Sequence, residues 1–236
     1  HAQELLTVLR KLAAFPKRLA DLGDDAFSTA HWNETIAQHD GTILRETRFP
    51  DGLGDWILQG PHLYVGNPFF KTPRRVCDTN KAYDPLDLTV LPADYLPRAN
   101  YVPACSPETY RERTPRVPWA TREPVTSSYR LVHRAMLSQA GERTLVSAIA
   151  APELAHIHGI QSTVFSSSKA LIAATAMSMS LVADFFIKST GRANLHYIWL
   201  QLPLLHGSPD LLVRTLRLNA LTDRYAPLWT SGWKAS

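Results

Sequence analysis

Cysteine is scarce in this sequence: Cys77 and Cys105 are the only thiols among 236 residues. They exclude a disulfide framework and a four-cysteine zinc site, and they make a reducing, cytoplasmic setting the expectation. Glycine is scarce too, with 11 residues against 17 prolines. No glycine-rich turn joins a strand pattern to a helix pattern. The cofactor loops of methyltransferase, kinase and dehydrogenase catalytic domains need one, because only bare backbone approaches the cofactor closely enough. Asp51–Gly52–Leu53–Gly54–Asp55 comes nearest, but it lacks a third glycine and a following helix and reads as a turn. Long uncharged apolar runs are also missing. The longest, Ala170 to Ile187, contains Asp184 and several serines between Lys169 and Lys188, so it reads as a buried helix and no membrane partner is expected. No basic-then-apolar leader follows His1, and the sequence is expected to be a piece of a longer polypeptide.

Proline is abundant, and locally so: 12 of the 17 fall between Pro50 and Pro124. Proline removes a backbone donor and fixes φ, so this stretch is expected to be extended or looped, with neither regular helix nor central strand. Its length suits a segment packed on a surface or used for binding. The net charge of +4 sits in the same region. From Gly60 to Ala135 there are eleven Lys/Arg against seven Asp/Glu, whereas the rest carries fourteen of each.

Residues 2–22 place Leu5, Leu6, Leu9, Leu12, Phe15, Leu19 and Leu22 at helical spacing among basic residues, which predicts an amphipathic helix bent or split at Pro16 and stopped at Gly23. Thr42–Phe49, Trp56–Gln59 and His62–Val65 read as three strands, and Tyr129–Leu137, Thr144–Ala150, Ala155–Ile160 and Ser162–Phe165 as four more. Ser167 or Ser168 can cap a helix to about Ser189, Leu195–Leu200 reads as a strand, and Ser208–Pro209–Asp210 can open a helix to about Tyr225. The expected fold is therefore α+β, with a mainly antiparallel sheet, a long buried helix and a C-terminal helix. Residues 1–40 are expected to form a helical connector and 41–236 the main domain.

Few residues point to chemistry. Asn67 in Gly66–Asn67–Pro68–Phe69–Phe70 resembles the amine-holding loop of amino-methyltransferases, but the second proline is missing and the loop reads as a strand exit. His156 and His158 could share a metal on one strand face; without a third ligand nearby they read as a structural pair. Ser166–Ser168 beside Lys169 reads as capping and not as a Ser/Lys nucleophile. The basic residues of the proline-rich part carry more weight. Lys71, Arg74, Arg75, Arg98, Tyr101, Arg111, Arg113, Arg116 and Arg122, with Tyr110 and Trp119, lie in stiff loops that could present cations to phosphates and base edges. Equally, the arginines could form a solvated face paired with Asp78, Asp94, Glu108 and Glu112.

The order of several sequence words is distinctive: Trp56–Ile–Leu–Gln–Gly–Pro–His–Leu–Tyr–Val–Gly–Asn–Pro–Phe69, Lys71–Thr–Pro–Arg74, Tyr83–Asp84, Asp87–Leu88 and Leu96–Pro–Arg–Ala–Asn–Tyr101. Glu142–Arg143–Thr144–Leu145, the Leu181–Lys188 helix end, Leu202–Pro203–Leu204 and the run from Leu216 to Trp229 follow. From about Trp56 to Trp233 the chain resembles the region beyond the catalytic domain in Eco57I-like N6-adenine DNA methyltransferases of restriction–modification and phage-defence systems. The resemblance implies a target-recognition domain that reads double-stranded DNA. A separate catalytic domain of the parent chain would bind S-adenosylmethionine, so no cofactor is expected in this part. The alternative expectation is a protein-interaction or scaffold module docking through the amphipathic helix 2–22.

Overall fold

The computed structural model of the protein describes residues 2–119, 122–204 and 208–233. Its helices are α1 (Ala2–Ala13), α2 (Glu34–His39), α3 (Pro107–Arg113), α4 (Ser168–Met179), α5 (Leu181–Ser189), α6 (Pro209–Asn219) and α7 (Ala226–Trp233). The strands are β1 (Ala26–Thr29), β2 (Ile43–Leu44), β3 (Ile57–Leu58), β4 (Lys71–Pro73), β5 (Tyr83–Pro85), β6 (Val102–Pro103), β7 (Arg130–Arg134), β8 (Ser147–Ala150), β9 (Ala155–His156) and β10 (Ile160–Phe165). The architecture is mixed α+β, centred on an antiparallel sheet in the order β1-β10-β7-β8. Small ladders surround it: β2 with β6 and β4 with β5 are antiparallel, and β3 with β9 is parallel.

Strand β10, Ile-Gln-Ser-Thr-Val-Phe, is buried at every position because both faces of the sheet are covered. Helix α4 packs across β7, β8 and β10 and is itself covered by α6 and α7. Its alanines and serines allow that close approach, and its apolar side chains run all round the helix, as a helix buried on several sides requires. Opposite, Trp32, Ile43, Ile57, Tyr101, Ala155 and Ile157 form a second cluster, and Val117, Val125 and Val164 a third.

Edge strand β8 has no further strand to pair with, and side chains take that role. Asn219 at the end of α6 accepts from the Ile149 N–H at 2.8 Å, and the Tyr225 hydroxyl donates to the Ile149 carbonyl at 2.8 Å. The Ser147 carbonyl accepts from the Gly66 N–H at 2.8 Å. Gly66 sits at φ +67, a backbone conformation that calls for glycine, and a β-carbon there would also push aside the end of the Met179 side chain. Asn67 then folds its Oδ1 onto the Phe69 N–H at 2.8 Å, closing a turn of the kind asparagine favours.

Several elements differ from the sequence expectations. The N-terminal helix does split near Pro16, and α1 is followed by a 3-10 stretch, Leu19–Asp25. The stretch expected to be a helical connector over 1–40 also contributes β1, which pairs with β10 from Ala26↔Phe165 to Thr29↔Ser162. The expected strand at His62–Val65 is replaced by a 3-10 turn at Gly60–His62, and that at Leu195–Leu200 by a 3-10 turn at Ile198–Gln201. The helix expected over 168–189 breaks at Ser180, whose Oγ accepts from the Ala183 N–H at 3.0 Å and so starts α5 at a bend of 65°. The C-terminal helix ends at Asn219, where that side chain is committed to β8, and restarts as α7 with Pro227 in the first turn. The proline-rich segment contains one helix, α3, because Ser106 caps it and Pro107 falls at a position whose N–H needs no partner. Among the described residues no single helix is long and apolar enough to cross a membrane.

Candidate nucleic-acid interface

The basic residues gather at two places. At the first, β4 and β5 form a hairpin whose loop, 74–82, is braced from two directions. Arg98 donates from Nη1 to the Pro73 carbonyl at 3.4 Å, and Arg45 donates from Nη2 to the Cys77 carbonyl at 3.0 Å. The Arg98 guanidinium also lies 4.5 Å from the centre of the exposed Phe49 ring. Arg74 pairs with Asp84 across the hairpin at 2.8 Å, an exposed ion pair of about 0–1 kcal/mol that a phosphate could replace. Arg75 extends from the loop with no side-chain partner among the described residues, and the Lys71 ammonium has only the Phe70 ring, at 5.0 Å.

The second place is α3 and the turn that follows it. Arg113 donates to the Asp40 carbonyl at 3.0 Å and to Thr42 Oγ1 at 2.6 Å, which ties α3 to the C-terminal end of α2. Arg116 donates to the Arg122 carbonyl at 2.9 Å and helps close the turn that pairs Val117 with Glu123. Arg122 is exposed at φ +45, a strained conformation for a side-chain-bearing residue. Arg111 is exposed and lines a concavity of about 440 Å³ together with Asp55, Thr126 and Glu153.

The nine expected positions therefore divide. Lys71, Arg75, Arg111 and Arg122 present charged ends that no hydrogen bond holds among the described residues. Arg98, Arg113 and Arg116 each use one donor group to brace backbone, and Arg74 is paired with Asp84. Tyr101 is a correction: it is 5% exposed in the second core cluster and donates to Glu34 at 2.9 Å, so it packs and cannot read a base. Tyr110 accepts from the Trp32 indole at 2.9 Å, and Trp119 packs on the Val117 cluster. The expected pairing of arginines with Asp78, Asp94, Glu108 and Glu112 does not occur among the described ion pairs. Two of the eleven cations in this charged stretch are structural: Arg130 is fully buried, and Arg134 donates to the Gly60 and Leu63 carbonyls.

The remaining candidates resolve into structure. His156 is buried, with Nδ1 donating to the Ile157 carbonyl and Nε2 accepting from Ser162 at 2.9 Å, so neither nitrogen is free for a metal. Its ring stacks on His31 at 3.9 Å, while His158 is exposed. A β-carbon on Gly52 or Gly54 would meet nothing within 4 Å, and a 3-10 turn, not a helix, follows. That turn makes no backbone cradle, so it does not fit S-adenosylmethionine. Sequence reasoning missed Arg45 as a brace and a groove where β7 ends and β10 begins, because both arise from segments far apart in the chain. No family model matches the chain, and no curated protein matches it.

Proposed function

We propose that the chain is the target-recognition module of a restriction–modification or phage-defence N6-adenine DNA methyltransferase. It would read double-stranded DNA beside a catalytic domain of the parent polypeptide that binds S-adenosylmethionine. One observation carries the reading: Lys71 on β4, Arg75 in the hairpin loop, Arg111 on α3 and Arg122 in the turn after it offer cations with no hydrogen-bond partner among the described residues, on segments that other arginines hold in place. Bracing lowers the entropy cost of presenting a charged side chain to a phosphate or a guanine edge. The resemblance of its sequence words, in their order, to Eco57I-like enzymes supports the family half of the proposal.

The test is selection from a random duplex pool, followed by affinity measured against salt. An enriched motif is expected, with log K falling against log salt at a slope of about −3 to −4 if the four cations each meet a phosphate. Replacing Arg75 and Arg111 with glutamine should flatten that slope by about 2. Duplex binding that is absent, or insensitive to salt, overturns the reading.

A second reading, the interaction module, is favoured by a different surface. Leu5, Leu6 and Val8 of α1 are exposed, as are Leu181 and Val182 at the start of α5. Between α1 and α4–α6 lies a groove of about 410 Å³ lined almost wholly by apolar atoms, among them Val8, Phe15, Met177 and Val182.

A further inference from the structure

Two adjoining concavities of about 370 and 410 Å³ open where β7 leaves the sheet and β10 enters it, and they share Glu34, Met136 and Gly159. Together they form one groove of mixed polar and apolar lining, large enough for a nucleotide. Gln161, the second residue of β10, lines it and is 8% exposed. Its amide makes no hydrogen bond among the described residues, yet it is not one of the side-chain groups sealed off without a partner, so its polar end stays accessible. The little surface it retains faces the groove.

The rest of the groove complements that amide. Tyr197 and Met136 stand at its mouth, 64% and 74% exposed, one a flat ring and the other a soft thioether. His196, between Asn194 and Tyr197, is held at φ +43, a conformation that side-chain-bearing residues adopt mainly where the surroundings impose it. Glu34 at the start of α2 accepts from the Tyr101 hydroxyl through Oε1, and its other oxygen is free to accept from a ligand. Lys71 lines the second concavity with its ammonium held only over Phe70.

An amide that both donates and accepts, a carboxylate acceptor and a stacking ring match a purine, whose edge carries acceptor nitrogens beside an N–H donor. A base paired within a duplex cannot enter such a groove. We propose that the groove binds one unpaired purine nucleotide, with Gln161 and Glu34 on the base edge, Tyr197 on its face and Lys71 at its phosphate. As a DNA contact the proposal rests on the duplex-recognition reading; as nucleotide chemistry it applies equally to a free nucleotide.

The test compares short fluorescent duplexes that are fully paired, carry one bulged purine or carry one bulged thymine, with AMP and GMP as free ligands. The purine-bulged duplex should bind about 10-fold or more tightly than the paired one, and the thymine bulge should gain little. Gln161→Met should remove the preference and leave paired-duplex binding unchanged. Tyr197→Ala, at an exposed position that does not threaten the fold, should reduce the same preference several-fold. Duplex binding without a purine-bulge preference, or a preference that survives both substitutions, overturns the groove and leaves the duplex reading intact. AMP or GMP binding that falls in Tyr197→Ala, with no DNA bound, keeps the groove and removes the DNA reading. Binding of neither DNA nor nucleotide overturns both.

Discussion

Four histidines, His31, His62, His133 and His156, are buried in the core. Burial depresses His62 to about 4, against the opposing pull of its bonds with Arg98 and Gln59, and depresses His133 to about 3. It also brings His156 to about 3, helped by the neighbouring Arg130 charge. His31 is lowered by burial, then by His156 and Arg130. Hydrogen bonds already fix the neutral forms: the Gln59 N–H donates to His62 Nδ1, so Nε2 carries the proton and donates to the Arg98 carbonyl. Unfolded histidine titrates near 6.5, so above that pH both states are neutral and the stability these rings contribute is fully present. As pH falls below about 6.5 the unfolded chain takes up protons that the folded one refuses. Stability should decline by up to about 1.4 kcal/mol per pH unit for each ring. Urea unfolding between pH 7 and 5 should show this slope, and His133→Gln should reduce it by about one proton; an unchanged slope would contradict a neutral His133. The sequence marked only two of the nine histidines for attention, His156 among them, because nothing in a histidine's neighbours along the chain records which rings the fold will bury.

At the scale of elements, the edge strand β8 shows how distant words of the sequence work together. Asn219 reaches it from α6, Tyr225 from the 3-10 turn Asp223–Tyr225, and Gly66 from the turn after the Gly60–His62 segment. An uncovered edge is a template for pairing with other chains, and here the Ser147 carbonyl and both backbone groups of Ile149 are engaged within the fold. Asn219→Ala leaves the buried Ile149 N–H without a partner and should cost about 1–3 kcal/mol in denaturant unfolding. Amide exchange at Ile149 should rise with it. Asp184 does the same service inside the fold, accepting the Thr144 and Leu145 N–H groups at 2.8 and 2.7 Å beside Arg143. Glu142–Leu145 and Leu216–Trp229 thus mark scaffold contacts, and so does Leu96–Tyr101, where Ala99, Asn100 and Tyr101 are buried. These words describe how the fold is held, whereas Arg75, Arg111 and Arg122 lie outside all of the words.

For the whole molecule, the two readings of function use different surfaces and can be separated. Within α1 only Leu12 is buried, so deleting Ala2–Ala13 should leave the fold intact. If the chain reads DNA through its braced loops, duplex affinity is unchanged by that deletion. If α1 is a docking helix, self-association or partner binding measured by light scattering is lost. Loss of duplex binding on deletion would place α1 in the interface and contradict the assignment to the loops.

The sequence by itself determined the α+β class, the break at Pro16, the Ser208-capped start of α6, and the placement of positive charge in proline-stiffened segments; α4 starts after Ser167 as expected, but without the side-chain cap. Each of these follows from local chemistry: periodicity, proline geometry, caps and composition act over a few residues. Only the tertiary structure decided which arginines are free and which brace backbone, that Tyr101 packs inside, that β1 joins the central sheet, and that Gln161, Glu34 and Tyr197 face one groove. Those outcomes depend on hydrogen bonds and burial between segments tens to more than a hundred residues apart, and no local pattern carries that information.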